Sequence, residues 1–352
     1  MEPIRYGIIG TGTTVGIARN HILGLNQCRD IKLSAIYDID EKQAQRTYEE
    51  CGLTDTVICK SWEELLEHSD AIGICLPNSL HVEYAVRGLQ AGKHVLIEKP
   101  VSTDAESLKE LLDEEKKHAE QVVMVCFNYR EFPIYQQIRK ILDAGDMGQI
   151  YRFHLQLGGN RIANKQVGLE WRMDRRTSGP GAISDFGCHL LDIIHYLLEP
   201  SCGPITELKA LLNTCIPERR DLRNGSMQKV TNDDNGVFIG KMENGAVFSC
   251  DTSRVGMWRH SIEISGEGGL VYGDFDEDDQ LWIWKKEKEG SYQSREKLSV
   301  SGLQGHAGIL QNFADCIQGK AVNHRTVTYA GKVQAMIDSM ERTGNWRWED
   351  KR

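Results

Sequence analysis

Between Gly181 and Leu198 a helix-length run contains no lysine, glutamate or arginine, yet Asp185, His189, Asp192 and Tyr196 recur at spacings of four, three and four. Those spacings set all four on one face of a helix. The other faces carry Leu190, Leu191, Ile193, Ile194, Leu197 and Leu198. A solvated stripe normally holds long charged side chains, so short polar ones amid apolar neighbours are expected to be buried against something polar. Such a histidine is either satisfied in a core by a carboxylate partner or turned towards a site, where imidazole is useful because it titrates near neutrality. A metal site from Asp185, His189 and Asp192 is disfavoured, because no further ligand of suitable spacing is evident. The ten cysteines are scattered singly from Cys28 to Cys316 without a Cys-x-x-Cys pair, so they read as small buried hydrophobes. No metal is expected.

A second group of polar residues sits where strands should end. After RYGIIG come Gly10, Gly12 and Gly16, spaced G-x-G-x-x-x-G, with Thr11, Thr13 and Thr14 between them. Small residues there let a backbone approach a pyrophosphate, and the following helix offers unpaired N–H groups and a positive dipole end. The next strand ends in Asp38, which is suited to accept hydrogen bonds from an adenosine ribose diol. The same charge would repel a ribose phosphate, so NAD is favoured over NADP as the cofactor. Pro77-Asn78, with His81 one turn on, and Glu98-Lys99-Pro100 mark two further strand ends. Asn78 or Ser79 could simply cap a helix that has His81 in its first turn. Lys99, held extended by Pro100, either points into a ligand crevice or pairs with Glu98 or another surface acid.

The elements that must position these residues are legible from periodicity. Up to Asn128 the chain alternates short apolar strands with helical stretches: RYGIIG, KLSAIYDID, TVICK, AIGICLP, HVLIEKP and QVVMVCFN. That alternation implies a Rossmann-type, doubly wound parallel sheet over residues 1–128, with its crevice at the carboxyl ends of the strands. Ser61 with Glu64 and Thr103 with Glu106 fit capping boxes, and Gly92 sits where a helix should stop. Beyond Tyr129 longer β runs take over, including QIYRFHLQL, ITELKALLNTCI, NGVFIGKM, GAVFSCDTSRV, HSIEISGEG and DQLWIWKK. Residues 129–352 are therefore expected to form an α+β domain with a large, mostly antiparallel open sheet. Segments 305–319 and 327–343 look like closing helices, and Lys285 to Lys288 like a solvated hairpin end. An uncovered sheet face, with Trp282 and Trp284 on its strand, suits pairing into a homodimer or homotetramer.

Bulk properties exclude other classes. At 352 residues the chain is sized for about two domains. The net charge of −9 disfavours a nucleic-acid groove. No apolar run approaches the roughly 20 residues of a membrane helix, and no amino-terminal secretory pattern is present, so a cytoplasmic protein is expected.

Taken in order, RYGIIGTG, Asp38, Pro77-Asn78 with His81, Glu98-Lys99-Pro100, Phe127-Asn128-Tyr129-Arg130, Trp171-Arg172 and SGPGAISDFGCHLLD match a known pattern nearly end to end. The chain resembles the Gfo/Idh/MocA family of glucose-fructose oxidoreductase and inositol dehydrogenase. The resemblance implies a Rossmann domain, a mixed-sheet substrate and oligomerisation domain, and a catalytic set of Lys99, Asp185 and His189. Cofactor contacts would then come from Gly10, Thr11, Gly12, Thr13, Thr14, Asp38, Pro77, Asn78, His81, Glu98 and Lys99. Two departures stand out: an insertion in the glycine turn before Gly16, and Pro180 where a third consecutive glycine is common.

The chemistry implied is hydride transfer between nicotinamide and a secondary hydroxyl carbon of a sugar, sugar derivative or cyclitol. His189 would take the hydroxyl proton, Asp185 would orient the imidazole or bind a neighbouring hydroxyl, and Lys99 would stabilise developing charge on the reacting oxygen. Arg130 and Arg172 are candidate substrate or cofactor contacts, or members of domain-interface ion pairs. Two other functions stay open. In one, tightly bound NAD is reduced and restored while a glycosidic bond breaks or an elimination occurs. In the other, the chain is a non-catalytic dinucleotide-binding regulator.

Overall fold

The computed structural model describes residues 2–12, 16–276, 280–286 and 296–347, and its chain divides into two compact units. The first comprises residues 1–131 and 303–332; the second comprises 132–302 and 333–352.

The first unit is built on six strands, β1 (Ile4–Ile9), β2 (Ile31–Tyr37), β3 (Val57–Ile58), β4 (Ala71–Ile74), β5 (His94–Ile97) and β6 (Val123–Val125). All pair in parallel in the order β3-β2-β1-β4-β5-β6, so strand order reverses between β1 and β4. Helices α1 (Ile17–Leu25), α2 (Glu41–Glu50), α3 (Trp62–Glu67), α4 (His81–Gln90) and α5 (Lys109–Lys117) make the crossovers. Every strand read from the sequence is present; β4, β5 and β6 are buried at nearly every position, as cover on both faces demands.

The capping signals held unevenly. Ser61 accepts from the Glu64 N–H at 3.1 Å and the Glu64 carboxylate reaches back to the Lys60 N–H at 2.7 Å. Gly92 (φ 73°) ends α4 with its N–H on Leu89 O. At Thr103 the expected capping box is replaced: the Asp104 carboxylate accepts from the Ser107 N–H at 2.9 Å, and a 3-10 turn (Glu106–Leu108) precedes α5. Asp104 is one residue better placed for the amide that needs a partner.

The first unit also takes back a piece of chain that the sequence reading left in residues 129–352. Helix Gly305–Ile317 runs so close to α1 that a Cβ on Gly24 would lie 3.0 Å from the backbone of His306 and Ala307. Its Ile309, Leu310, Phe313 and Ala314 join Tyr6, Ile22 and Ile36 in one buried cluster. A parallel sheet needs apolar cover on both faces, and this helix supplies part of it.

The second unit holds strands β7 (Ile150–Gly158), β8 (Ile205–Asn213), β9 (Glu218–Arg220), β10 (Met227–Lys229), β11 (Asn235–Met242), β12 (Val247–Ser253), β13 (Arg259–Gly266), β14 (Gly269–Asp274), β15 (Gln280–Lys285), β16 (Glu296–Leu298) and β17 (Asn345–Arg347). Nine form one sheet in the order β16-β15-β14-β13-β7-β12-β11-β8-β17. Only β7 and β12 pair in parallel within it; the other described pairs are antiparallel. The short β9–β10 ribbon stands apart. Strands β9, β10, β14, β16 and β17 were not read from the sequence, being short or, for β14, glycine-flanked. Helices Pro133–Asp143 and Gly187–Leu197 pack together, and the second lies on β7 and β12. On the covered face Phe153 and Phe248, register partners across β7 and β12, stack with centroids 4.8 Å apart. The opposite face exposes Tyr151, Leu211, Val237, Ile239 and Val247.

Of the ten cysteines, Cys59, Cys126, Cys188, Cys202, Cys250 and Cys316 are buried and Cys215 is exposed. Lys285 and Lys286 are exposed, while Lys288 lies outside the described residues. Among the described residues no helix is long and apolar enough to cross a membrane.

Candidate functional site

In the first unit the candidate cofactor residues gather at the carboxyl edge of the sheet, on both sides of the reversal between β1 and β4. Gly10 leaves β1 at φ 89°, and a Cβ there would lie 2.9 Å from Cys75 O, so only glycine fits the left-handed turn against the end of β4. Gly12 has open space where a side chain would be, and Gly16 (φ 66°) is the N-cap of α1. Thr13 and Thr14 lie outside the described residues. The Asp38 carboxylate ties this turn to the end of β2: Oδ2 accepts from the Thr11 N–H at 2.7 Å and from its hydroxyl at 3.0 Å, and Oδ1 accepts from the Asp40 N–H at 3.0 Å.

Beyond β4, Pro77 leads into a 3-10 turn in which Asn78 is buried. His81 is fully buried, with its ring nitrogens 2.9 Å from Leu76 O and Pro100 O. Its imidazole therefore bridges the ends of β4 and β5 from behind, and burial lowers its pKa. Lys99 is half-buried at the end of β5. The Glu98 side chain turns the other way, inward, where Oε1 lies 2.9 Å from His21 Nε2 and 3.3 Å from His306 Nε2. Arg130 is buried in the first unit with its guanidinium carbon 4.9 Å over the Tyr329 ring.

In the second unit the polar stripe is carried by two helices rather than one. Ala182–Asp185 ends at Phe186 (φ −104°), and Gly187–Leu197 begins immediately after. The expected single face is thus broken between Asp185 and His189. Asp185 is half-buried, His189 is 2% exposed and Asp192 is fully buried. Arg172 stacks its guanidinium 4.1 Å from the Trp171 ring, and its carbonyl accepts from Ser178, Asn232 and Arg254.

What holds the Asp185 segment was missed in the sequence. Asp233, just before β11, accepts from the Gly181 N–H at 2.7 Å and the Ile183 N–H at 2.9 Å, while its carbonyl accepts from the Ala182 N–H at 3.0 Å. Burial raises the Asp233 pKa, and these amides pull the other way. Asp234 accepts from the Cys215 and Ile216 N–H groups, and Arg254 donates to Asn232 Oδ1 and Asp233 O. In the sequence Thr231-Asn232-Asp233-Asp234-Asn235 is a bare run of polar residues with no periodicity. Only the fold turns those carboxylates inward, so no local signal marks them.

A six-stranded 3-2-1-4-5-6 parallel sheet with a glycine turn at its reversal is the nucleotide-binding arrangement, but many enzymes share it. The deciding observation is a match over both parts of the chain. A family model described as "Oxidoreductase family, NAD-binding Rossmann fold" covers residues 4–127, and one described as "GFO/IDH/MocA C-terminal domain" covers residues 135–272. The chain belongs to the GFO/IDH/MocA oxidoreductase family. Its cofactor unit is the NAD-binding Rossmann domain of that family. Curated GFO/IDH/MocA-type relatives include levoglucosan dehydrogenase of Pseudarthrobacter phenanthrenivorans, 30% identical over 63% of this chain and 60% of its own length. Glucose-6-phosphate 3-dehydrogenase of Bacillus subtilis is 29% identical over 74% of this chain and 72% of its own. Uncharacterized oxidoreductase sll0816 of Synechocystis is 32% identical over 77% and 71%. A solved levoglucosan dehydrogenase, in complex with NADH and L-sorbose, shares the fold with TM-score 0.85 at 23% identity over 98% of this chain and 97% of its own.

Proposed function

We propose that this GFO/IDH/MocA member transfers hydride between NAD and a secondary hydroxyl or keto carbon of a sugar, sugar derivative or cyclitol. The observation that carries the proposal is the alignment of most of the chain with dehydrogenases named for levoglucosan, glucose 6-phosphate, D-glucosides and inositol. In this reading His189 takes the hydroxyl proton and Asp185 orients the imidazole or binds a neighbouring hydroxyl. Lys99 stabilises charge on the reacting oxygen, with Arg130 and Arg172 as substrate contacts. The bound NAD supplies the hydride acceptor at its nicotinamide. The protein groups hold and move one proton, and in the reductive direction His189 returns it.

The test is to mix the protein with NAD and a panel of inositols, aldoses, sugar phosphates and glycosides while following NADH absorbance and bond cleavage. NADH formed in step with one substrate supports the dehydrogenase. Cleavage without net NADH moves the chain to the redox-assisted class, and NAD binding without turnover of any member, together with no NADH consumption on a matching panel of keto sugars, supports the regulator.

Two further expectations attach to this reading. With Asp38 at the ribose position, NADH binds at least about 10-fold more tightly than NADPH, and Asp38→Asn narrows that ratio, as fluorescence titration would show. Tighter NADPH binding overturns the role of Asp38. The exposed apolar face of the nine-stranded sheet supports a homodimer or homotetramer formed through it. Ile239→Arg, placing a charge at the middle of that face, is expected to shift the sedimenting species towards monomer; an unchanged oligomer puts the interface elsewhere.

A further inference from the structure

Four side chains with metal-binding atoms converge inside the first unit. His21 from α1, Glu98 from the end of β5, Cys126 from the end of β6 and His306 from the helix Gly305–Ile317 place one ligand atom each within 4.8 Å of one another. The sheet register produces half of this cluster: Ile97 pairs with Val125, so the next residues, Glu98 and Cys126, emerge side by side. The Cys126 N–H on Ile97 O at 2.8 Å locks that adjacency. The close approach at Gly24 supplies the other half by bringing the His21 and His306 rings to 5.1 Å.

We propose that His21, Glu98, Cys126 and His306 form a buried site for a single transition-metal dication, of which Zn2+ is the best fit. Two imidazoles, a carboxylate and a thiolate are a four-donor set of the kind zinc takes. A tetrahedral zinc with bonds of about 2.0–2.3 Å sets its donors about 3.3–3.8 Å apart. The spread here, from 2.9 Å between His21 Nε2 and Glu98 Oε1 to at most 4.8 Å, brackets that range.

The surroundings match what a metal requires of its second layer. Each ligating imidazole needs its other nitrogen fixed by a partner. Tyr6 OH lies 2.9 Å from His21 Nδ1 and can accept its proton; Asn128 Nδ2 lies 3.3 Å from His306 Nδ1, so the amide must turn over to present its oxygen to a metal-bound His306. Glu98 Oε2 is held by the Lys99 N–H at 3.2 Å, leaving Oε1 towards the histidines. Charge balance points the same way. Zn2+ with one carboxylate and one thiolate sums to zero. His306, whose side chain is 16% exposed, is the most accessible member and so the route of entry. Donors at positions 21, 98, 126 and 306 leave no spacing signal, which is why sequence reading anticipated no metal.

The test uses the full chain expressed in zinc-supplemented medium and purified without chelators or a metal column, with metal content measured by mass spectrometry. About one zinc per chain is expected, together with a thiolate-to-metal charge-transfer band after replacement by Co2+. Cys126→Ser should lose the band and lower zinc affinity by about 100-fold, while Cys215→Ser, at the exposed thiol, changes neither. A chelator should lower the melting temperature of the wild type and leave that of Cys126→Ser unchanged, a readout independent of turnover. Protein without zinc, or a cobalt band that survives Cys126→Ser, overturns the proposal and leaves the cluster a hydrogen-bonded hub around Glu98.

Discussion

Replacing His189 by alanine is expected to lower kcat by about two to four orders of magnitude while the NADH dissociation constant stays within about twofold. A positioned base contributes that much because it removes the hydroxyl proton as hydride leaves. In the proposed reading cofactor affinity comes from the strand ends of the other unit, from Gly10, Thr11 and Asp38, so it should not follow. His189 is 2% exposed in a helix whose neighbours Cys188, Leu190 and Leu191 are also buried, so a truncation there leaves a cavity. His189→Gln, closer in volume, separates the two effects: it should recover melting temperature without recovering kcat. Turnover close to wild type in either variant removes His189 from the role of base. Stopped-flow and steady-state rates on the substrate identified from the panel, beside thermal melts, make the comparison.

Gly181→Ala carries the second largest expected effect. A Cβ at Gly181 would sit 1.7 Å from Asp233 O and 2.7 Å from Asp233 N, both backbone atoms, so neither a rotamer change nor a flexible tip can relieve it. The segment must part from the Asn232–Asp234 strand entry, losing the amide bonds from Gly181, Ala182 and Ile183 to Asp233. Overpacking of this kind, with buried acceptors left unmatched, costs about 3 kcal/mol or more. Urea unfolding should show a midpoint shift of that order, with activity falling further because Asp185 rides on the displaced segment. An unfolding free energy within about 0.5 kcal/mol of wild type would show that this packing does not hold the segment.

The contrast between these two positions reflects how information is stored in the chain. His189 is visible in the sequence because a polar stripe lacking lysine, arginine and glutamate is rare on a solvated helix. Gly181 is visible only as a glycine in a loop, and Asp233 not at all. Its partners are amides 50 and 52 residues away, and nothing in Asn232-Asp233-Asp234 distinguishes inward carboxylates from solvated ones. The break at Phe186 was hidden for a similar reason. Side-chain spacing of four, three and four is preserved across a kink, so periodicity continued through a point where the backbone does not.

In the first 128 residues, by contrast, local pattern sufficed. The strands are short and mostly apolar, each crossover is helix-length, and the turns announce themselves through Gly10 and Gly92, so all six strands of the parallel sheet are readable in order. What sequence by itself determined is therefore the alternating cofactor unit and the glycine turn, while it singled out Asp38, Lys99, Asp185 and His189 as candidates. Tertiary structure alone decided that Gly305–Ile317 returns to cover the first sheet, that Asp233 and Arg254 brace the second unit's polar helix, and that Glu98 faces His21, Cys126 and His306. The physical reason is range: propensity, capping and periodicity act over a few residues, whereas these arrangements join groups tens to hundreds of positions apart, brought together only when apolar faces are buried.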